Sequence, residues 1–170
     1  DIMGAAYEQY THQNLKRQRG QFFTNRLIVS AMVRMIDPQV GEKILDPAGG
    51  SGGFVTAAFR HVRQKVLSTT APASPQRERQ LDAAKNDVFL IEISPRLVKL
   101  AKTAMLLNGD GHAGMTHGDS LRPYKELDPW IISRASQGAP KVILTNPPFA
   151  GQGDARITDP EILANFETAQ

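Results

Sequence analysis

Two short segments bring together groups suited to chemistry on a flat, amine-bearing molecule. The first is Asp46-Pro47-Ala48-Gly49-Gly50-Ser51-Gly52-Gly53-Phe54, an acid followed by a glycine-rich run. Glycine permits tight turning and close approach of a ligand to the backbone, and a helix that follows offers free N–H groups in its first turn. The run lacks the Gly-x4-Gly-Lys-Ser/Thr spacing of a triphosphate loop, and Asp46 instead suits a cationic ligand group. The second segment is Asn146-Pro147-Pro148-Phe149. A residue before proline is pushed to extended geometry, and two successive prolines remove two N–H donors. What remains is a rigid pair of acceptors, the Asn146 side-chain oxygen and the Pro147 carbonyl, with an aromatic ring beside it. Such a pair takes both hydrogens of an exocyclic NH2 group, which draws the nitrogen lone pair out of ring conjugation and aims it at an electrophile. Phe149 then stacks on the base that carries the amine, and a base in duplex DNA must first leave the helix. Each segment alone has a plain structural reading: close helix–strand packing for the glycines, a strand-ending turn for the prolines.

The surrounding elements give both segments a common place. Lys43-Ile44-Leu45-Asp46 reads as a buried strand stopped by Pro47, and Phe54, Val55, Ala58, Phe59, Val62 and Val66 then recur at helical spacing. Leu67 to Pro75 reads as a linker within an insertion, followed by a polar helical stretch to Lys85. Asp87 to Glu92 is a second strand, Ser94-Pro95 an N-cap with proline at the first helical position, and Asn108-Gly109 the end of that helix. Ala113 to His117 is a weaker strand, and Lys141 to Thr145 a fourth. Upstream, Asn25 or Thr24 caps a helix whose apolar positions are Leu27, Ile28, Ala31, Met32, Met35 and Ile36, ended by Asp37-Pro38. Gly151 to Asp154 reads as a loop and Pro160 to Thr168 as a short amphipathic helix. Strands alternating with helices predict an α/β fold: a partial doubly wound sheet of about four mostly parallel strands with flanking helices. Both loops then lie at carboxyl ends of strands, where an open α/β sheet binds ligands. Glu92 ends the second strand, placed to accept hydrogen bonds from ribose hydroxyls. A ligand with a ribose, an ammonium group and no phosphate fits this arrangement, namely S-adenosyl-L-methionine.

Composition excludes other chemistry. The 170 residues carry 20 Lys+Arg against 17 Asp+Glu, a net charge of +3, and no cysteine, so disulfide scaffolds and thiolate metal sites are out. The four histidines, His12, His61, His112 and His117, show no zinc-ligand spacing, and no metal site is expected. Apolar runs are too short to span a bilayer and the first residues lack a signal pattern, so a cytoplasmic location without membrane attachment is expected. The positive charge concentrates in Lys16 to Arg26 and Arg60 to Lys85, either as phosphate-attracting patches or as solvated helix faces.

With these residues in view, the chain resembles the N6-adenine DNA methyltransferases, most closely the methylation subunit of type I restriction–modification systems. Gly20-Gln21-Phe22-Phe23-Thr24 is similar to the family's first cofactor motif, and Asp46 to Phe54 to its Asp-Pro-Ala-Cys-Gly-Ser/Thr-Gly-Gly-Phe loop. Gly118-Asp119-Ser120-Leu121 resembles its adenine-pocket motif and Asn146 to Phe149 its catalytic motif, with weaker similarity at Tyr7-Glu8 and at Ile162 to Glu167. The resemblance implies a Rossmann-like methyltransferase sheet. Gln21, Phe22, Phe23 and Thr24, with Asp46, Ala48, Gly50, Ser51, Gly52 and Gly53, would hold the methionine end of S-adenosylmethionine. Glu92 would take the ribose and Asp119 the adenine amine of the cofactor. Asn146, Pro147, Pro148 and Phe149 would hold the target adenine for methyl transfer to N6. Implied partners are double-stranded DNA and the specificity and restriction subunits. Two positions depart from the pattern: Gly49 stands where Cys is usual, which should loosen the loop, and Asn25 where Pro is usual, which removes a fixed φ. The resemblance also implies further segments on both sides, so residues 1–170 read as a single catalytic-domain fragment with little or no transfer activity by itself. Within it, 1–40 would carry N-terminal helices and the first motif, 41–150 the cofactor-binding core and catalytic loop, and 151–170 a loop and short helix. Three alternatives stay open: a methyltransferase acting on RNA or on a protein glutamine amide, a nonenzymatic S-adenosylmethionine-binding module, and a nicotinamide-dependent dehydrogenase.

Overall fold

The computed structural model describes residues 24–109, 114–148 and 157–166. The first helix, α1 (Arg26–Ile36), starts where the Asn25 side chain accepts a hydrogen bond from the Leu27 N–H at 2.8 Å, and it ends at Asp37, which takes a left-handed conformation at φ 51°. Asn25 has φ −58°, a value proline would also adopt, so the side-chain cap stands in for the ring. The apolar stripe differs from expectation. Val29 and Val33, one turn apart, are the buried positions, whereas Leu27 is 79% and Met35 83% exposed, and Ile28 and Ile36 are also exposed. One i, i+4 ridge suffices to pack α1 on the next helix, and the other apolar residues wrap around to its outer side.

β1 (Ile44–Asp46) leads into α2 (Gly53–Thr69), which buries Phe54, Val55, Ala58, Phe59, Val62 and Val66 as expected. This helix runs past the expected linker start at Leu67. Its Ser68 and Thr69 hydroxyls donate back to the Lys65 carbonyl, and the Thr70 N–H and hydroxyl both reach the Val66 carbonyl, an acceptor that the helix end would otherwise leave open. Ser74 then accepts from the Arg77 N–H to start α3 (Pro75–Asn86), so the insertion is mostly helix and its true linker is only 70–74. β2 (Val88–Glu92) is buried throughout and leads to α4 (Pro95–Leu107). Ser94 occupies the cap position of α4 without a side-chain capping bond; its own N–H is held by Glu92. β3 (Met115–His117) follows, then a 3-10 turn (Tyr124–Glu126) and α5 (Pro129–Ser136), both unanticipated. β4 is only Val142–Ile143, shorter than the Lys141 to Thr145 expected. The Lys141 and Val142 N–H groups both point to the Lys43 carbonyl, and the prolines beyond Asn146 cannot extend the ladder. α6 (Pro160–Leu163) is a single turn within the longer helix expected there, and Arg122 holds it through Asp159 at 2.9 Å.

All pairings are parallel, in the order β3-β2-β1-β4, with Ile44 opposite both Val88 and Val142. Alternation sorts the strands by face. Ile44, Val88, Leu90, Met115, Val142 and Leu144 share a core with α1, α2 and α4, while Leu45, Phe89 and Ile91 meet Leu127, Trp130 and Ile131 on the other side. There Phe89 and Trp130 pack at 5.3 Å between ring centroids, with the Arg134 guanidinium about 6 Å from each ring. The outer position of β4 leaves Ile143 61% exposed, as an open edge predicts.

Gly49 overturns the expectation of a loosened loop. It is buried, its N–H donates to the Ile91 carbonyl at 3.1 Å, and a Cβ added there would fall within the Leu90 side chain, itself fully buried. Glycine here lets the loop press onto β2. Gly49→Ala should lower stability by about 1–3 kcal/mol through overpacking. Shortening Leu90 to Ala in the same chain should recover part of that loss, a coupling readable by denaturant unfolding of both single variants and the double variant.

Candidate functional site

Reversal of strand order between β1 and its two neighbours makes the gap between the β1 and β4 carboxyl ends a topological switch point, where the loops diverge and leave a crevice. The glycine-rich turn after β1 and the Asn146 loop after β4 both emerge there. Between them and α1 opens a cavity of about 380 Å³, whose wall includes Thr24, Ala48, Gly49, Gly50, Ser51, Gly53 and Asn146. That volume lies within the range of small-molecule sites.

The turn is built by its backbone. Gly50 and Gly52 have φ of +53° and +87°, which only glycine adopts without strain, and the Gly52 N–H closes the turn on the Gly49 carbonyl at 2.8 Å. An added Cβ at Gly52 would also stand 3.0 Å from that of Ala101 on α4. Gly50 and Gly53, in contrast, have open space where a Cβ would be, so the turn presents bare backbone to the cavity.

The two strand-end acids act first on the protein. Glu92 is 9% exposed; one carboxylate oxygen accepts from Gly50 N–H at 2.9 Å and the other from Ser94 N–H at 2.8 Å. It thereby ties the β1 turn to the start of α4, and each oxygen keeps a further lone pair for a donor. Asp46 is 1% exposed, beneath the turn rather than on the cavity wall. Its carboxylate accepts from the Ala48 N–H at 3.2 Å. Burial pushes its pKa up to about 6; the Thr145 hydroxyl and Ala48 N–H counter part of that rise, and the nearby Glu92 charge adds to it. Thr145, at the end of the β4 loop, was not anticipated as a site residue; its buried hydroxyl acts on the Asp46 pKa without a hydrogen bond of its own in the structure.

Asp119 follows β3 and accepts from the Leu121 N–H at 3.0 Å, forming a local turn away from the cavity wall. Asn146, on the opposite side of the switch point, lines the cavity, and its Nδ2 donates to Thr24 Oγ1 at 3.1 Å across 122 residues of sequence. Pro147 and Pro148 are exposed beyond it. Gln21, Phe22, Phe23 and Phe149 lie outside the described residues. The cavity also meets Arg26, Arg34 and Arg60, none of them anticipated as site residues. Burial, and secondarily the Arg60 charge, lower the Arg26 pKa. Arg26 and Arg60 come from the two basic stretches of the sequence, and only the packing of α1 on α2 brings them together.

The elevated Asp46 pKa gives a pH signature. The folded chain binds a proton at Asp46 more tightly than the unfolded chain does, so the unfolding free energy falls as pH rises from about 4 to 6 and levels off above that. The shift from 3.8 to about 6 corresponds to about 3 kcal/mol. Replacing Asp46 with Asn should remove this component, so that the stability difference between wild type and variant changes between pH 4 and pH 7 in urea unfolding. Parallel curves for the two proteins would contradict it.

The family model described as N-6 DNA Methylase matches residues 1–169. The chain is 34% identical over 172 aligned residues to the type I restriction enzyme EcoEI methylase subunit of Escherichia coli, covering 99% of this chain and 32% of that protein. It is 27% identical to the EcoKI methylase subunit of Escherichia coli strain K12, covering 93% and 29%. Among solved structures, a modification subunit from Vibrio vulnificus YJ016 superposes with a TM-score of 0.70 at 29% identity, covering 97% of this chain and 31% of that one. The chain therefore spans about a third of the length of the relatives it matches. A match over residues 1–169 shows that the chain belongs to the N-6 DNA methylase family.

Proposed function

We propose that this chain is the catalytic part of a DNA methyltransferase that places a methyl group on N6 of adenine, as the modification subunit of a type I restriction–modification system. The observation that carries this reading is the position of Asn146 on the wall of the glycine-lined cavity, in hydrogen-bond contact with Thr24. An amide oxygen at that place and the Pro147 carbonyl would form a double acceptor beside the room a cofactor needs.

S-adenosylmethionine in this cavity would supply a methyl group on a sulfonium, an electrophile with a neutral leaving group. The residues fit such a ligand: Gly50 and Gly53 leave open space along bare backbone, and Glu92 has lone pairs to spare for ribose hydroxyls. Thr24, Ala48, Gly50, Ser51, Gly52 and Gly53 would enclose the methionine end, and Gln21, Phe22 and Phe23 would extend that wall. Asp46 would act from beneath the turn, its charge favoured by a cationic group above it. Asp119 would accept from the amine of the cofactor's adenine with its second carboxylate oxygen, while the first holds the turn. Asn146 and the Pro147 carbonyl would accept the two amine hydrogens, Pro148 would stiffen the loop, and Phe149 would stack on the base. Rate acceleration would come from this fixed polar geometry and from alignment of the reacting groups, with no general base required in the chain.

The partners that follow from this reading are double-stranded DNA and the specificity and restriction subunits of the same system, in the cytoplasm. Among the described residues no helix is long and apolar enough to cross a membrane. Asn146→Ala in the full-length subunit should lower transfer of labelled methyl to N6 of adenine by about 100-fold or more. Calorimetric affinity for S-adenosylmethionine should stay within about threefold, less than the worth of one hydrogen bond. Wild-type transfer by this variant would overturn the assignment.

A further inference from the structure

Asn146 can serve as an acceptor toward an amine only if its carboxamide presents oxygen rather than nitrogen. The two ends of a carboxamide have nearly the same shape, and rotation about its last torsion is soft, so sterics alone do not choose between them. In the wrong sense the NH2 group would face the substrate amine, donor against donor. Something beside Asn146 must select the productive sense.

We propose that Thr24 is the positioning residue that makes this selection, a role resting on the function proposed above. Thr24 lies just before α1, and its Oγ1 accepts a hydrogen bond from Asn146 Nδ2 at 3.1 Å. With Nδ2 engaged on that side, Oδ1 is the end left for a substrate. A hydroxyl both donates and accepts, so Thr24 alone would tolerate either end of the amide. It selects nitrogen once its own proton goes to another acceptor. Thr24 lines the same cavity as the β1 turn, so the methionine carboxylate of a bound cofactor is the acceptor at hand. Filling the cavity then turns Oγ1 into a pure acceptor and fixes Asn146 with its oxygen toward the amine. The two ends of the reaction are coupled through one hydroxyl: the catalytic amide is aligned when the methyl donor is present.

Local structure favours this assignment over a capping role. The N-cap of α1 is Asn25, whose side chain accepts from Leu27, so the Thr24 hydroxyl is not needed to start the helix. The contact also joins residues 122 positions apart and holds the β4 loop against the entrance of α1, a link between the two walls of the cavity.

The experiment compares Thr24→Val, which keeps the shape and removes the hydroxyl, with Thr24→Ser, which keeps the hydroxyl, both in the full-length subunit within its native complex. Turnover is measured as labelled N6-methyladenine in unmethylated DNA, and S-adenosylmethionine affinity by calorimetry. Thr24→Val should lower kcat by about tenfold, the worth of one hydrogen bond to a reacting group. The cofactor Kd should weaken as well, by about tenfold, because the same hydroxyl donates to the methionine carboxylate, and Thr24→Ser should restore most of both losses. The thermal midpoint should fall by no more than a few degrees in Thr24→Val, the worth of the one bond lost, and stay at the wild-type value in Thr24→Ser, since α1 keeps its Asn25 cap. An unchanged kcat in Thr24→Val overturns the proposal, as does a loss confined to cofactor affinity, which would make Thr24 a simple binding contact. A fall in the thermal midpoint that accounts for the lost activity, or a Ser variant as impaired as Val, overturns it as well. These outcomes stand apart from failure of the functional reading, which would show as undiminished transfer by Asn146→Ala.

Discussion

The structure depends on the double pairing of β1. This three-residue strand is hydrogen-bonded in parallel to β2 on one side and to β4 on the other. Parallel pairing points the carboxyl ends of all three strands the same way, and the reversal of chain order across β1 sends their loops apart. The glycine turn and Asn146 are brought to one crevice by that single constraint, with Glu92 behind the turn and bonded to Gly50. A one-residue slip of β1 would carry Ile44 to the wrong face and withdraw the turn from Asn146. Ile44, 2% exposed and central to the larger core, is the side chain that resists such a slip.

On this frame the polar groups are arranged with little slack. Glu92 spends one hydrogen bond from each oxygen on holding the turn to α4, and Asp46 is buried below it with its ionised form disfavoured. A buried acid beside another acid is a cost to folding, and such costs concentrate where a site must meet charge from outside. The same tension appears on the opposite wall, where burial and then the nearby Arg60 charge lower the Arg26 pKa. Acidic groups thus lie beneath the turn and basic groups along the helices, an electrostatic gradient across one cavity.

Much of this was legible from residue order. Asp46 to Phe54 announced both the end of β1 and the start of α2, because an acid, a proline and clustered glycines leave few other conformations. Asn25 was legible as a cap, and Glu92 as a strand-end acid. The alternation of Ile44, Val88 and Leu90 against Leu45, Phe89 and Ile91 followed once the strands were placed. Less legible were features decided by tertiary contact. The burial of Val29 and Val33 rather than Leu27 and Met35 depends on which ridge of α1 meets α2, and both stripes are apolar. The fit of Gly49 against Leu90 pairs two residues from different strands. The helix α5 escaped notice although Asp128-Pro129 carries a start signal, with Asp128 accepting from Trp130 N–H at 2.8 Å; its eight residues are too short for a clear period. The Thr24–Asn146 bond has no local signature at all.

The central claim is that one crevice at the ends of β1 and β4 brings an amine nitrogen and a methyl donor together. The most direct measurement is a crystal structure of the full-length subunit with sinefungin, a nonreactive analogue of the methyl donor, and DNA bearing its target adenine. The account predicts the analogue against Gly50 to Gly53, with ribose hydroxyls at Glu92. It also predicts adenine N6 within about 3 Å of Asn146 Oδ1, ordinary hydrogen-bond range. An extruded adenine whose N6 meets other acceptors, or an analogue seated away from the glycine turn, would contradict it.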